Sequence, residues 1–404
     1  MKVLKKLLFS RPAQANYCPV SAIAFQLGVP VSVGSTLREH LQAFSLVGNS
    51  GNMVHRMAMI QLLEFDRMRS AQVNLLRLIA KHKTPQRAAE IINKNFDGVV
   101  ITMSNFLRKG AIEPGMAELV ENLTCEIYTV GLGLQDAMPL GDSTNVDPDM
   151  IRYLKILDDR ASLFGVRGYT TEKWLRSIGF KNVTAIGCPS IFAYPANCLA
   201  LRSPNRIDRV ISAGHLTTSR AFDNRARKLV GGFNGVSCSY VFQGEHRNFE
   251  ELLDMQGVYD EATQTISAKI MHDFFAEKTG FRLPFGKYYS FNEVAAWRQA
   301  CLRYDAYVGD RIHGGVAAMQ AGVPALILYA DARVSELVSY HGLPSCSIDE
   351  FGDLGCRESV ARHLNDETLG AFKAHYRNIG NRFVEAVIKS GLSVQTDVSR
   401  VFGT

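Results

Sequence analysis

Short apolar runs alternate with amphipathic stretches along most of the 404-residue chain. Residues 43–48 (AFSLVG) read as a strand and 49–52 (NSGN) as a turn. From Met53 onward apolar positions recur at helical spacing. Further strands are expected at 97–104 (DGVVITMS), 125–133, 161–168 and 183–189, with a helix at 170–179 between the last two. About forty residues precede the first recognisable strand. The alternation restarts at 209–214 (RVISAG) and continues through 239–244, 306–310 and 324–329. Residues 366–391 carry a helical period.

Strands alternating with helices predict an α/β protein with parallel sheets covered on both faces. Prolines, asparagines and arginines cluster at 194–206 (YPANCLALRSPNR), which places a seam there. The expected organisation is two Rossmann-like lobes facing a cleft, like the glycosyltransferase-B fold. The first spans 1–200, the second 201–345, and a helical tail 346–404. Ligands of open α/β sheets sit outside the carboxyl ends of strands, so strand ends are where chemistry is sought.

Composition narrows the classes. The chain is 47% hydrophobic and 21% charged, ordinary for a globular protein. Its net charge of +6 is mild. It favours an anionic substrate, and no dense basic stripe supports nucleic acid. The eight cysteines form no Cys-x-x-Cys pair, so reduced core thiols are expected and no metal site. No apolar run reaches the roughly 18 residues of a membrane-spanning helix. The opening MKVLKKLLFSRPAQ has too short an apolar core for a secretion signal, and the chain reads as cytoplasmic. A peripheral anchor at the inner face of a membrane, with Leu4, Leu7 and Leu8 beneath Lys2, Lys5 and Lys6, stays open beside a plain first helix or strand.

The richest strand end is GDRIHGG, residues 309–315. Arg311 offers a planar fork for a carboxylate or phosphate, and His313 a proton donor that titrates near neutrality. Residues two apart share one side of extended chain. Gly314 and Gly315 are expected to open the next helix, whose first amides, including those of Ile312 and Gly314, would face an anion. The plainer reading is a helix cap in which Arg311 pairs with a neighbouring acid. Arg167 ends another apolar strand, before a helix begun by Thr170 or Thr171. It needs an anion or a structural partner such as Glu172 or Asp158.

Weaker signals follow. Asn49, Gly51 and Asn52 form a strand-to-helix turn suited to a sugar or phosphate, without a complete glycine fingerprint. Gln135 follows a glycine turn and can bond a hydroxyl. Gln243, Glu245, His246 and His215 also follow strands; for them solvent exposure competes with a site role. The chain has no Gly-x-Ser-x-Gly elbow, no His-Glu-x-x-His and no P-loop lysine. Chemistry is therefore expected from arginines, histidine and helix ends, without a metal or cofactor.

These segments resemble the polysaccharide pyruvyltransferase family. The resemblance runs from about Phe44 to Tyr329. It rests on the turn 49–52, on Arg167 with the helix 170–179, and most specifically on Arg311-Ile312-His313 with AMQAGVPALIL. Asn52 stands where the family has aspartate, Gly168 follows Arg167 where an acid is common, and residues 103–110 lack the usual glycine pair. The resemblance implies transfer of pyruvate from phosphoenolpyruvate onto two hydroxyls of a saccharide, giving a cyclic ketal in exopolysaccharide or cell-wall glycan synthesis. The acceptor would be free, lipid-linked or nucleotide-carried. It implies that Arg167, Arg311, Ile312 and Gly314 hold the donor, that His313 is the acid, and that Asn49, Gly51, Asn52 and Gln135 face the acceptor. Two alternatives stay open. One is a nucleotide-sugar glycosyltransferase of the same fold, with Glu336 clamping a ribose. The other is a glycan-binding relative without turnover.

Overall fold

The computed structural model describes residues 22–26, 36–42, 50–105, 107, 112–217, 222–260, 262–263 and 265–403. The first half carries β1 (Ile23–Gln26), β2 (Leu63–Glu64), β3 (Ala71–Val73), β4 (Gly98–Thr102), β5 (Glu126–Leu132), β6 (Leu163–Val166) and β7 (Val183–Ala185). All but β2 join one parallel sheet in the order β3-β1-β4-β5-β6-β7. Every residue of β4 (GVVIT) is buried, as expected of a central parallel strand covered by helices on both faces.

The second half carries β8 (Arg209–Ser212), β9 (Ser237–Val241), β10 (Tyr259–Asp260), β11 (Thr265–Ile266), β12 (Lys287–Tyr289), β13 (Ala306–Gly309), β14 (Ala325–Tyr329) and β15 (Ser345–Ser347). They form one sheet, β10-β11-β12-β9-β8-β13-β14-β15, parallel except for the two pairings made by β11. Its six parallel strands follow the doubly wound order, with the chain reversing direction across the sheet between β8 and β13. The architecture is the expected pair of Rossmann-like lobes.

Two features differ from the sequence reading, and one reading falls outside the described residues. The sheet begins earlier than expected, with β1 between β3 and β4. β1 lies in VSAIAFQLGVPV, where apolar residues run together from Ala22 to Phe25 and no alternation marks a strand. Residues 43–49, read as a first strand leading to Asn49, lie outside the described residues. The helix after β13 opens at Ile312, with Arg311 as its cap, and not at the glycines. Gly314 and Gly315 serve packing instead. A Cβ on Gly314 would lie 2.7 Å from a Tyr307 ring carbon, and one on Gly315 would overlap Ile327.

The C-terminal region divides between the lobes. The Ile348–His363 helix lies against the Asn224–Gly231 helix of the second lobe, where Cys356 N–H donates to the Gly232 carbonyl at 2.7 Å. The Asp366–Lys389 helix runs back to the first lobe. There Tyr376 donates to the Ile191 carbonyl at 2.8 Å, and Arg382 to the Tyr169 hydroxyl at 2.6 Å. Next, β16 (Ser393–Val394) pairs antiparallel with β2. Among the described residues no helix is long and apolar enough to cross a membrane.

Candidate active site between the lobes

A cavity of about 230 Å³ opens where the carboxyl ends of the two sheets face each other. The first lobe contributes Ser104 and Asn105 after β4, Gln135 after β5, Arg167 after β6, and Asn52 from the Gly51–Leu62 helix. The second contributes His215 after β8, Gln243 after β9, Asp310 to His313 after β13, and Arg333 after β14. Both topologies thus deliver strand ends to one volume. Arg167 and the Arg311–His313 pair, 144 positions apart in the case of the arginines (311 − 167), line the same space.

Arg167 is 4% exposed, yet no carboxylate pairs with it among the described residues. Glu172 instead pairs with Arg176 at 3.2 Å, and Asp158 accepts backbone N–H groups of Lys181 and Asn182. Arg167 donates to Asn105 Oδ1 and, at 3.3 Å, to the Gly131 carbonyl, and its Nε–H has no partner among the described residues. Burial draws its pKa down to about 10, so it stays charged at neutral pH. A buried guanidinium held by neutral groups beside a cavity has the charge and planar fork that suit an anion. Gly133 makes the placement feasible: a Cβ there would overlap the Arg167 Nε and Cδ atoms.

Arg311 has a structural partner as well as a cavity face. Its Nε and Nη2 donate to Glu245 Oε1 at 3.2 and 3.0 Å, and Glu245 is buried. Burial opposes its charge, but Glu245 and then Asp310 outweigh that and hold Arg311 above its ordinary range. Asp310 is fully buried. Despite burial, the His215 and Arg225 contacts draw its pKa down to about 2. It accepts from Arg225 Nε and from the His215 backbone at 2.9 Å. It is the one carboxylate among the described lining residues, and it is already engaged.

His313, in the first turn of the Ile312–Gln320 helix, is drawn down to about 3. Burial is the largest cause, followed by Arg167, Arg333 and Arg311. At neutral pH the site therefore holds a neutral imidazole near three cations. Its ring stacks on that of His55, with centroids 5.1 Å apart and planes at 26°. His55 is 1% exposed, and neither ring nitrogen has a hydrogen-bond partner among the described residues. His313 Nε2 lies 3.8 Å from Cys188 Sγ, across the lobe boundary.

The other expected site residues divide. Ile312, Asn52 and Gln135 line the cavity. Gly51 is buried at the start of its helix and Asn49 lies outside the described residues. Gly314 does not line the cavity, and its N–H donates to the Arg311 carbonyl at 3.0 Å, so the turn itself uses that donor. Glu336, offered as a ribose clamp, accepts from Thr171 N–H at 2.7 Å and Thr171 Oγ1 at 2.9 Å. It caps the Tyr169–Ser177 helix from the opposite lobe, and Gly168 leaves room for it. Asn105, Arg333 and His55 were not singled out from sequence. The strand-end rule would have reached the first two, since each lies within four residues of a strand terminus.

Two parallel α/β lobes enclose a cationic cleft with a histidine among the arginines. The chain belongs to the polysaccharide pyruvyl transferase family, whose model matches residues 60–331. That span contains Arg167, Arg311 and His313. The comparison with curated proteins returns no match. Among solved structures, the chain is similar to UDP-GlcNAc 2-epimerase from Methanocaldococcus jannaschii, with 14% identity, 82% of each chain covered and a TM-score of 0.38. It is also similar to Anabaena HepE in complex with UDP-glucose, with 12% identity, 94% of this chain and 98% of that one covered and a TM-score of 0.42. Likeness at this level says nothing about which ligand this chain takes.

Proposed function

We propose that the protein transfers the pyruvyl group of phosphoenolpyruvate onto two hydroxyls of a saccharide, forming a cyclic ketal and releasing phosphate. The observation that carries this reading is Arg167: a buried, charged guanidinium without a carboxylate partner among the described residues, facing Arg311 and His313 across one cavity. Phosphoenolpyruvate carries a carboxylate and a phosphate, and Arg167, Arg311 and Arg333 supply cations for both. The amide and hydroxyl side chains of Asn52, Ser104, Asn105 and Gln135 suit the hydroxyls of a sugar.

The reaction begins with a proton placed on the methylene carbon of the donor by His313. The neighbouring carbon becomes oxocarbenium-like and one sugar hydroxyl attacks it. Phosphate leaves, held by the arginines, and the second hydroxyl closes the ring. The hydroxyls release two protons, of which one balances the proton given to carbon and the other leaves with phosphate. A positioned acid contributes about 10²–10⁴-fold, and fixed cations around the departing phosphate contribute through preorganisation. Burial and the three arginines hold His313 neutral at pH 7, so the donor's own charge must load the acid: anions set among the arginines offset that penalty. Asp310, the one carboxylate among the described lining residues, is tied to Arg225 and His215, which favours a reaction run on the arginines and His313.

The test is turnover. The protein is incubated with phosphoenolpyruvate and a panel of bacterial oligosaccharides, free and lipid-linked. Phosphate release is followed together with an acceptor mass gain of one pyruvic acid less one water. Consumption of UDP- or GDP-sugars, with no phosphoenolpyruvate-dependent product, would overturn the proposal. His313→Ala should abolish turnover while donor binding persists, and Arg311→Ala should weaken binding itself.

A further inference from the structure

The donor set described so far leaves one buried group without an assigned task. Gln243 follows β9, is 2% exposed and lines the cavity. Its side-chain Nε2 is buried and has no hydrogen-bond partner among the described residues. A carboxamide N–H₂ in that position loses water and gains nothing unless another oxygen reaches it. Its backbone is fixed: Gln243 N–H donates to Glu245 Oε2 at 2.8 Å. The other oxygen of that carboxylate, Oε1, accepts from Arg311. One buried glutamate therefore ties the ends of β9 and β13 together and sets Gln243 and Arg311, both lining the cavity, on the same carboxylate.

We propose that Gln243 is a donor-binding residue whose carboxamide N–H₂ hydrogen-bonds an anionic oxygen of the donor beside Arg311, with Glu245 as the residue that positions both. The proposal rests on the phosphoenolpyruvate reading of the cavity. Gln243 adds to the arginines a neutral contact with direction. It donates to a carboxylate or phosphoryl oxygen without adding charge that would further oppose protonation of His313. An acceptor hydroxyl could in principle meet the same nitrogen, and the isosteric glutamate distinguishes the two. Against a donor anion Gln243→Glu sets charge on like charge, whereas against a hydroxyl the carboxylate remains a good acceptor.

The experiment is calorimetric titration of phosphoenolpyruvate, without acceptor, into the wild type, Gln243→Ala, Gln243→Glu and Arg167→Ala. A lost hydrogen bond to a charged group corresponds to a loss of about 10- to 100-fold in affinity, and this is expected for Gln243→Ala. Gln243→Glu should bind more weakly still. Both variants should remain folded at the titration temperature, with circular dichroism spectra matching the wild type; the buried truncation and the buried carboxylate lower the thermal midpoint without unfolding the lobe. Wild-type affinity in Gln243→Glu, with Arg167→Ala impaired, would overturn the assignment of Gln243 while leaving the donor site standing. Absence of binding by the wild type, or full binding by Arg167→Ala, would overturn the donor reading and this proposal with it.

Discussion

Binding of the donor should make the protein take up about one proton, and His313 should be its destination. Before the donor binds His313 sits near 3, held there by burial and by Arg167, Arg333 and Arg311. To act as an acid at pH 7 it must rise by about four pH units, roughly 5.5 kcal/mol at about 1.36 kcal/mol per unit. That is an upper figure, since His313 is only half-buried and solvent screens part of the effect. A unit charge at about 4 Å interacts by about 4 kcal/mol at an effective dielectric of about 20. A carboxylate and a phosphate lodged among the three arginines therefore supply enough. The sign follows from linkage: without the donor His313 holds no proton above about pH 3, and in the complex it holds one until its raised pKa is passed. Within that window donor affinity falls as pH rises, by up to about tenfold per unit. The assay is calorimetry at pH 7 in buffers of different ionisation enthalpy, comparing the wild type with His313→Gln so that the donor's own titration subtracts. The wild type should take up close to one proton more than the variant. Equal uptake would refute the loading of His313 by the donor.

Three further outcomes follow from the packing. Gly133→Ala should displace Arg167 without unfolding the lobe, weakening phosphoenolpyruvate binding by about 10-fold or more with an unchanged circular dichroism spectrum. Glu336→Ala removes the trans-lobe cap of the Tyr169–Ser177 helix and leaves the Thr171 N–H and hydroxyl donors without an acceptor, so denaturant unfolding should show a loss of about 1–3 kcal/mol. His55→Phe should retain the ring stack on His313 and be at least as stable as the wild type, because neither nitrogen of His55 has a described partner; His55→Ala should lose about 2–4 kcal/mol through the cavity it leaves.

The alternation of apolar strands with helices made the two parallel sheets legible, and strand ends led to Arg167, Arg311 and His313. The short strands escaped notice for a physical reason. Ile23–Gln26 begins with three consecutive apolar residues, and Ala71–Val73 is three residues at a sheet edge, so neither shows alternation. The roles of glycines were also hidden. Gly314 and Gly315 look like backbone access for an anion, but they face Tyr307 and Ile327, whose proximity depends on the sheet beneath. Gly133 shapes the site by leaving space for Arg167, a contact between residues 34 positions apart (167 − 133). Partners set by the closing of two lobes, such as Glu336 with Thr171 or His55 with His313, have no local sequence signature at all.

The position of phosphoenolpyruvate in a co-crystal tests the central claim most directly. Its carboxylate and phosphate oxygens should lie about 2.7–2.9 Å from nitrogens of Arg167 and Arg311, spanning the two lobes. Its methylene carbon should face the His313 ring. Binding outside this cavity, or binding to one lobe with Arg167 left without contact, would contradict the shared donor site.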